Sequence, residues 1–375
     1  MFNKIFVLRH IAQKAGPVLD LFPDKSPVLV NSTDEIYQYI SDAEDGKLSL
    51  FISEHKGNFV KSCPGTDKYY RCCQYYVINE MTHCPLNCSY CILQFYLDLP
   101  VITYFINIED MLRELIELSQ RFPKRILRIG TGELTDSLAL DHVFHLNEKI
   151  IRQTQNKTNI VFEVKTKTNQ IDHLMSAAFE RMVFSWSVNP EEIIKREEKK
   201  TSSLKARLTA MKQVVPTTAK IGLHFDPIIR YHNWQEGYKK LIEQLGRTVP
   251  ADKIAWISMG SFRHPADLKF EILKNHPETS LYQSEFITGK DGKKRYPRFA
   301  RRELYQFIYQ ELRQTFGKDV FIYFCMESPD IWKDVIGRSP MDNTELDFWF
   351  AQSLYQRFPD MKLPVPQKEA YPEDW

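Results

Sequence analysis

Apolar residues along this chain fall into short dense runs, separated by stretches in which they recur every three or four positions. The dense runs "QYYVINE" (74–80), "RILRIG" (125–130), "NIVFEVKT" (159–166), "MVFSWSV" (182–188), "AKIGLHFD" (219–226) and "KIAWISMG" (253–260) read as buried strands. Between them, "IEDMLRELIELSQRF", "DHVFHLNEKIIRQTQ" and "NWQEGYKKLIEQLG" have the spacing of helices with one apolar face. Parallel neighbours need a crossover connection, and a helix is the usual one, so six such repeats predict an α/β fold with a parallel sheet. We expect a partial barrel over residues 66–265.

Two further parts flank this core. Residues 1–65 read as a small α/β unit, with strands at "KIFVLRH", "PVLVNS" and "SLFISE" and a helix over "TDEIYQYISDAED" (33–45). Residues 266–375 form a C-terminal extension. It opens with a β-hairpin at "EFITGKDGKKRYPRF" (285–299), whose Gly-Lys-Asp-Gly tip suits a tight turn. A helix at "RRELYQFIYQELRQTF" and a strand at "DVFIYFCM" (319–326) follow.

At 375 residues, 43% hydrophobic and 26% charged, the composition is that of a globular protein, which excludes disordered and fibrous classes. The longest apolar stretch, "CILQFYLDLPVITYFINI", is broken by Asp98 and Pro100, so no membrane span is expected. The start lacks a secretory signal's apolar region, and the expected location is cytoplasmic. Net charge is only +2, but its distribution is uneven. "GKDGKKRYPRFARR" (289–302) sets seven Lys/Arg against one Asp, which suggests an anionic partner. "KREEKKTSSLKAR" (195–207) suits either such a partner or a solvated helix face.

Six of the seven cysteines lie between residues 63 and 91, a crowding that favours metal chemistry over disulfides in a chain without an export signal. In "HCPLNCSYC" (83–91), Cys84, Cys88 and Cys91 are spaced C-x₃-C-x₂-C. Two readings stand. A closed zinc site would draw a fourth ligand from His83, Cys72 or Cys73, whereas a [4Fe–4S] cluster on three thiolates leaves one iron open to a small molecule. Polar residues also gather where the predicted strands end: Gly130, Thr131, Gly132 and Glu133 after the second, Lys165 and Lys167 at the third, Ser187 and Asn189 at the fourth, His224 and Asp226 at the fifth, and Ser258, Ser261 and Arg263 at or after the sixth. In β/α barrels the carboxyl ends of the strands form the reactive face, so this pattern points to an enzyme.

The cysteine loop resembles the radical S-adenosylmethionine (SAM) signature, in which an aromatic residue, here Tyr90, precedes the last cysteine. "GTGE" (130–133) resembles that superfamily's glycine-rich element, which holds the SAM amine; glycines let backbone approach the ligand and a carboxylate pairs with the ammonium. More closely, "CPLNCSYCILQFYLDLPVITYFIN", "RIGTGELTDSLALDH", "KTKTNQIDHL", "FSWSVNPEEII" and "HFDPIIRYHNWQEGY" follow in the order and spacing of the spore photoproduct lyase family, radical SAM DNA-repair lyases. The resemblance implies a partial (βα)6 barrel, a [4Fe–4S] cluster on Cys84, Cys88 and Cys91, and SAM as cosubstrate. It implies that Lys167 and Ser187 contact the SAM methionyl group, with Asn189 and Asp226 close by. It also implies a nucleic-acid substrate, DNA foremost, an electron donor such as flavodoxin or ferredoxin, and action as a monomer. The hairpin would meet that substrate through Lys290, Lys293, Lys294 and Arg295, with Tyr296 or Phe299 against bases.

Two departures bear on chemistry. The true lyases carry a hydrogen-donating cysteine three residues before an aspartate, and counting back from Asp136 this chain has Glu133 there. They also carry a tyrosine just after the third cluster cysteine, where this chain has Ile92. Among the remaining thiols, Cys325 at the end of the last strand is the candidate replacement donor. Cys63, Cys72 and Cys73 are expected to pack or to support the cluster loop.

Overall fold

The computed structural model describes residues 2–65 and 69–371. All six predicted strands form: β1 (Tyr76–Ile78), β2 (Leu127–Gly130), β3 (Ile160–Thr166), β4 (Met182–Ser187), β5 (Lys220–Ile228) and β6 (Ile254–Ser261). The late run supplies β7 (Ile322–Phe324). They lie side by side in chain order, all parallel, and Val60–Ser62 adds an antiparallel edge beyond β1. Strands β3 to β6 are buried almost throughout because they are covered on both faces, as parallel sheets must be.

The sheet is curled. β1 and β7 are at opposite ends of its parallel run, yet Tyr75 and Cys73 beside β1 border the same cavity as Tyr323 and Cys325. The Arg71 N–H donates to the Glu327 carbonyl at 2.9 Å, a backbone bridge between the two flanks.

A second sheet has the order Val28–Val30, Lys4–Leu8, Ser49–Ser53, Ile102–Phe105, Met81–Thr82. It therefore takes strands from beyond residue 65, and the boundary expected there falls at 66–68, outside the described residues. One continuous core joins residues of this sheet, such as Ile5, Leu50 and Ile102, to those of the large one. The expected helix over 33–45 is replaced by a 3₁₀ segment, Thr33–Gln38, and a short helix, Ala43–Lys47. Asp42 accepts from the N–H groups of Glu44 and Asp45, and that cap starts a new helix where the old one would have continued. "DHVFHLNEKIIRQTQ" likewise divides into Asp141–Phe144 and Leu146–Thr154 at His145, whose φ is +52°. The helices Ile108–Arg121, Trp234–Thr248 and Arg298–Phe316 form as expected.

Candidate active site at the carboxyl ends of the strands

Alternate residues of a strand share a face, so Glu163 and Lys165 of β3, and Lys167 just beyond it, all point into the curl. They border a cavity of about 370 Å³ with Glu133 and Asp136 after β2, Ser187 of β4, and His224 and Asp226 of β5. Cys84, Cys88 and Cys91 border the same cavity from above, and Arg263, Lys293 and Cys325 close its far side.

The cysteine loop is held from several directions. Asn87–Cys88 pairs antiparallel with Glu198–Lys199, and Cys91 N–H donates to the Cys88 carbonyl at 3.2 Å. Lys47 Nζ binds the Leu86 carbonyl and, at 3.0 Å, Asn87 Oδ1. Ser89 N–H donates to the Glu197 carbonyl at 2.8 Å. Burial pushes the Cys84 thiol up to about 12, with the charges of Asp136 and Cys91 adding to it. Burial likewise raises Cys88, against an opposing pull from Lys167. Among the described residues, no group of three or more His, Cys, Asp and Glu side chains converges as ligands of one metal ion do. The three thiols border one cavity, and three thiolates are the donor set that a cluster with one open iron takes.

The SAM-directed residues divide. Lys167 Nζ lies 3.3 Å from Ser187 Oγ and 5.8 Å from the centre of the Tyr90 ring, so all three sit together beneath the cysteine loop. Asp136 accepts from the Lys167 N–H at 2.8 Å and from Thr166 Oγ1 at 2.7 Å, fixing the turn that carries Glu133 against the end of β3. Gly132, with φ +92°, lets that turn form. Three residues expected at the SAM site are not among those that border the cavity. Asn189 is buried away from the cavity, donating to Glu198 at 2.9 Å and accepting from Tyr238 at 3.1 Å. Thr131 is buried too, its hydroxyl 3.0 Å from Asn147 Oδ1. Gly130 does not border the cavity; a side chain there would strike the Tyr75 hydroxyl and the Glu163 carbonyl.

The Tyr90 hydroxyl is also committed, donating to Glu198, which pairs with Arg207 at 2.6 Å. Glu197 and Glu198 come from the run "KREEKK", which reads as a solvated face or as a contact for an anionic partner, yet both are buried and anchor the cysteine loop. Burial tends to raise the Glu198 carboxyl, but Arg207 and Lys167 outweigh it and the net displacement is downward.

The hairpin forms from Ile287–Thr288 and Lys294–Arg295, and Arg263–His264 joins as a third strand. Lys290 is exposed, Lys294 reaches Thr288 Oγ1 at 2.8 Å, and Lys293 borders the cavity. Burial, and then Arg263, lowers the Lys293 ammonium. Arg295 and Tyr296 do not face a partner. Arg295 is buried, paired with Asp291 at 2.6 Å and lying 4.0 Å over the Tyr70 ring. Tyr296 is fully buried against Phe286 and accepts from the Arg230 N–H at 3.1 Å. The tip aspartate neutralises the arginine and folds it inward. Phe299 is 63% exposed.

At the far wall, Arg263 pairs with Asp226 at 3.2 Å and lies 3.3 Å from Cys325 Sγ. Burial and the Asp226 charge raise the Cys325 thiol above its ordinary value, against the pull of Arg263, so it carries its proton at neutral pH. Sequence reasoning places Arg263 near a strand end without a role, and passes over Glu163 because a lone acid inside an apolar strand gives no motif.

The family model for spore photoproduct lyase matches residues 67–326. The chain belongs to the spore photoproduct lyase family. The lyase of Bacillus subtilis (strain 168) is 28% identical over 242 residues, covering 63% of this chain and 68% of that protein. The lyase of Geobacillus sp. (strain Y412MC61) is 27% identical over 260 residues, covering 66% and 74%. A spore photoproduct lyase structure complexed with dinucleoside spore photoproduct superposes with TM-score 0.76 at 21% identity, covering 86% of this chain and 99% of that one. A double mutant with bound AdoMet and dinucleoside spore photoproduct gives 0.75 at 21%, with the same coverage. These structures share the fold, and the family's curled α/β sheet is the one described above.

Proposed function

We propose that this chain is a radical SAM enzyme that repairs a photoproduct-type lesion in DNA. The observation that carries the reading is the convergence of Cys84, Cys88 and Cys91, the Lys167–Ser187 pair, Glu133 and the hairpin's Lys293 on one cavity. Cys84, Cys88 and Cys91 hold the [4Fe–4S] cluster, which with SAM supplies a 5′-deoxyadenosyl radical. Lys167 and Ser187 hold the methionyl carboxylate, and Glu133 the ammonium, with Asp226 close by. Strands β1 to β6, within residues 66–265, are read as a partial (βα)6 barrel, and the N-terminal unit (1–65) and hairpin extension (266–375) each lend its sheet a strand, Val60–Ser62 and Ile322–Phe324. The chain acts as a monomer and takes electrons from a small donor such as flavodoxin or ferredoxin.

A lesion inside stacked duplex cannot reach the cavity, so the damaged bases are flipped out. Lys290, Lys293 and Lys294 meet phosphates, and Phe299 rests against the bases left behind. Cys325, protonated and at the cavity wall, donates to the product radical the hydrogen atom that the true lyases take from a cysteine at the position of Glu133. The thiyl radical left behind returns to thiol with an electron from the small donor and a proton. Arg263 orients that thiol.

The test is anaerobic reconstitution, followed by incubation with SAM, a reductant and, side by side, photoproduct-containing DNA, intact DNA and RNA. Lesion-dependent 5′-deoxyadenosine with loss of the lesion is expected, and Cys325→Ala should retain SAM cleavage while diverting the product. Equal SAM cleavage with all three nucleic acids and no lesion loss would refute the reading.

A further inference from the structure

The segment that carries Glu133 is an arch with two feet, Thr131 directly after β2 and Ser137 against β3. The second foot is docked on the sheet. Ser137 N–H donates to the Lys165 carbonyl at 3.2 Å, and its hydroxyl accepts from the Lys165 N–H at 2.9 Å. Asp136 reinforces that foot by accepting from Thr166 and Lys167. The first foot lies beyond Gly130, the last residue of β2 in register with β3. Between the feet, among the described residues, no backbone–backbone hydrogen bond braces residues 132–135. The place of Glu133 is therefore set by how the feet are held. One side chain joins them. Asn147, 1% exposed, accepts from the Thr131 hydroxyl at 3.0 Å and donates to the Ser137 carbonyl at 2.7 Å. A carboxamide offers an acceptor and a donor side by side, and the feet present the complement, a hydroxyl and a carbonyl.

Asn147 is itself held from behind. Its N–H donates to Asp141 Oδ1 at 2.9 Å, and Asp141 Oδ2 lies 2.8 Å from His173 Nε2. His145, with φ +52°, ends one helix and starts the next, so Asn147 falls in a first turn, where its N–H needs a partner outside the helix. Thr131, Ser137 and Asp141 are buried as well, so each bond lost from the brace leaves a polar group unsatisfied away from water. We propose that Asn147 is a positioning residue for SAM, fixing through both feet of the arch where the Glu133 carboxylate stands. This rests on the reading above that Glu133 holds the SAM ammonium, and it says how the carboxylate is kept in reach. Thr131 then belongs to the site without touching SAM: its hydroxyl is one end of the brace.

The experiment is a double-mutant cycle on reconstituted enzyme, reading SAM affinity by anaerobic titration calorimetry in wild type, Glu133→Gln, Asn147→Leu and the double variant. Glu133→Gln should weaken SAM by about tenfold to a hundredfold, the loss of a hydrogen bond to a charged group. Asn147→Leu should weaken it by about tenfold, within the range for partners in one hydrogen-bond network. In the Glu133→Gln background the same change should cost only about twofold, because no carboxylate is left to place. An equal loss in both backgrounds is the mark of a brace that merely supports the fold, and would overturn the proposal. Thr131→Ser, which keeps the hydroxyl, should bind SAM as wild type does. Thr131→Val keeps the shape without the hydroxyl and should lose about threefold to tenfold. If Asn147→Leu fails to fold, Thr131→Val takes its place in the cycle. Wild-type affinity in Asn147→Leu or in Thr131→Val, with Glu133→Gln impaired, would overturn this inference alone. Loss of iron from both brace variants would overturn it too, since the effect would then reach beyond the arch. Unchanged affinity in Glu133→Gln would overturn the reading of Glu133 and this inference with it.

Discussion

Replacing Glu198 tests the anchoring of the cysteine loop. Its carboxylate is fully buried and takes hydrogen bonds from Tyr90, from Asn189 at 2.9 Å and from Arg207 at 2.6 Å. Glu198→Gln keeps the shape but leaves the Arg207 guanidinium, also fully buried, without its counter-charge. Breaking a buried pair on one side costs about 3–5 kcal/mol. Glu198→Ala also strands the donors of Tyr90 and Asn189, adding about 1–3 kcal/mol for each one left unsatisfied. Those losses overlap, so the alanine variant is expected to be the worse without reaching their sum. Replacing both partners, Glu198→Leu with Arg207→Met, removes the orphaned charge and should recover that part of the loss, while the stranded donors of Tyr90 and Asn189 keep the double variant less stable than wild type. Because the folded carboxyl is held below its unfolded value, its contribution is present above the unfolded pKa and lost as pH falls through the folded one. The wild-type advantage over Glu198→Gln should therefore shrink on acidification. Urea unfolding of the anaerobic apoprotein, followed by circular dichroism at several pH values, measures all of this, and iron retention after reconstitution reports on the loop. A Glu198→Gln cost below about 1 kcal/mol, the scale of an ordinary hydrogen bond, would show that the pair is not what holds this segment.

Three further outcomes follow from the site. Alanine at Cys84, Cys88 or Cys91 should abolish cluster assembly, while alanine at Cys63 or Cys72 should leave iron and sulfide content largely intact; an equal loss at Cys72 would reassign the ligands. Lys293→Gln with Lys294→Gln should weaken DNA binding and flatten its salt dependence by about 0.9 in logarithmic slope for each phosphate no longer neutralised, whereas Arg295→Gln should lower stability and leave that slope alone. Titration calorimetry with SAM should find Glu133→Gln weaker by about 1.5–3 kcal/mol, the value of a hydrogen bond to a charged group.

Much of this architecture can be read from residue pattern alone, and the exceptions have physical causes. Strands β1 to β6 announce themselves because burial on both faces demands dense apolar runs. The strand Ile102–Phe105 is just as apolar, but it lies in one long stretch with the helix Leu93–Tyr96, and periodicity cannot divide the two. Glu197 and Glu198 look solvated because their local neighbours are lysines, while the partners that bury them, Ser89, Tyr90 and Arg207, are set by the tertiary fold. Arg295 reads as a phosphate ligand for the same reason. Nothing in "GKDGKKR" says that Asp291 turns back onto Arg295 or that Tyr70 lies beneath it. Cysteine spacing and strand-end polar residues remain legible because the chemistry needs particular residue types at fixed places.

The third strand of the hairpin sheet sets limits on how this protein can be re-engineered. Arg263 is at once a rung of that sheet, paired with Arg295, and the side chain beside Cys325. Grafting a relative's hairpin, or changing its length, would move the register of Arg263 and with it the cavity wall. The tip offers little slack: Asp291 holds Arg295, Gly292 needs φ +78°, and a side chain at Gly289 would meet Arg295 and the Tyr70 hydroxyl. Retargeting is therefore better attempted by exchanging the outward side chains of Lys290, Lys294 and Phe299 on an unaltered backbone than by swapping the module.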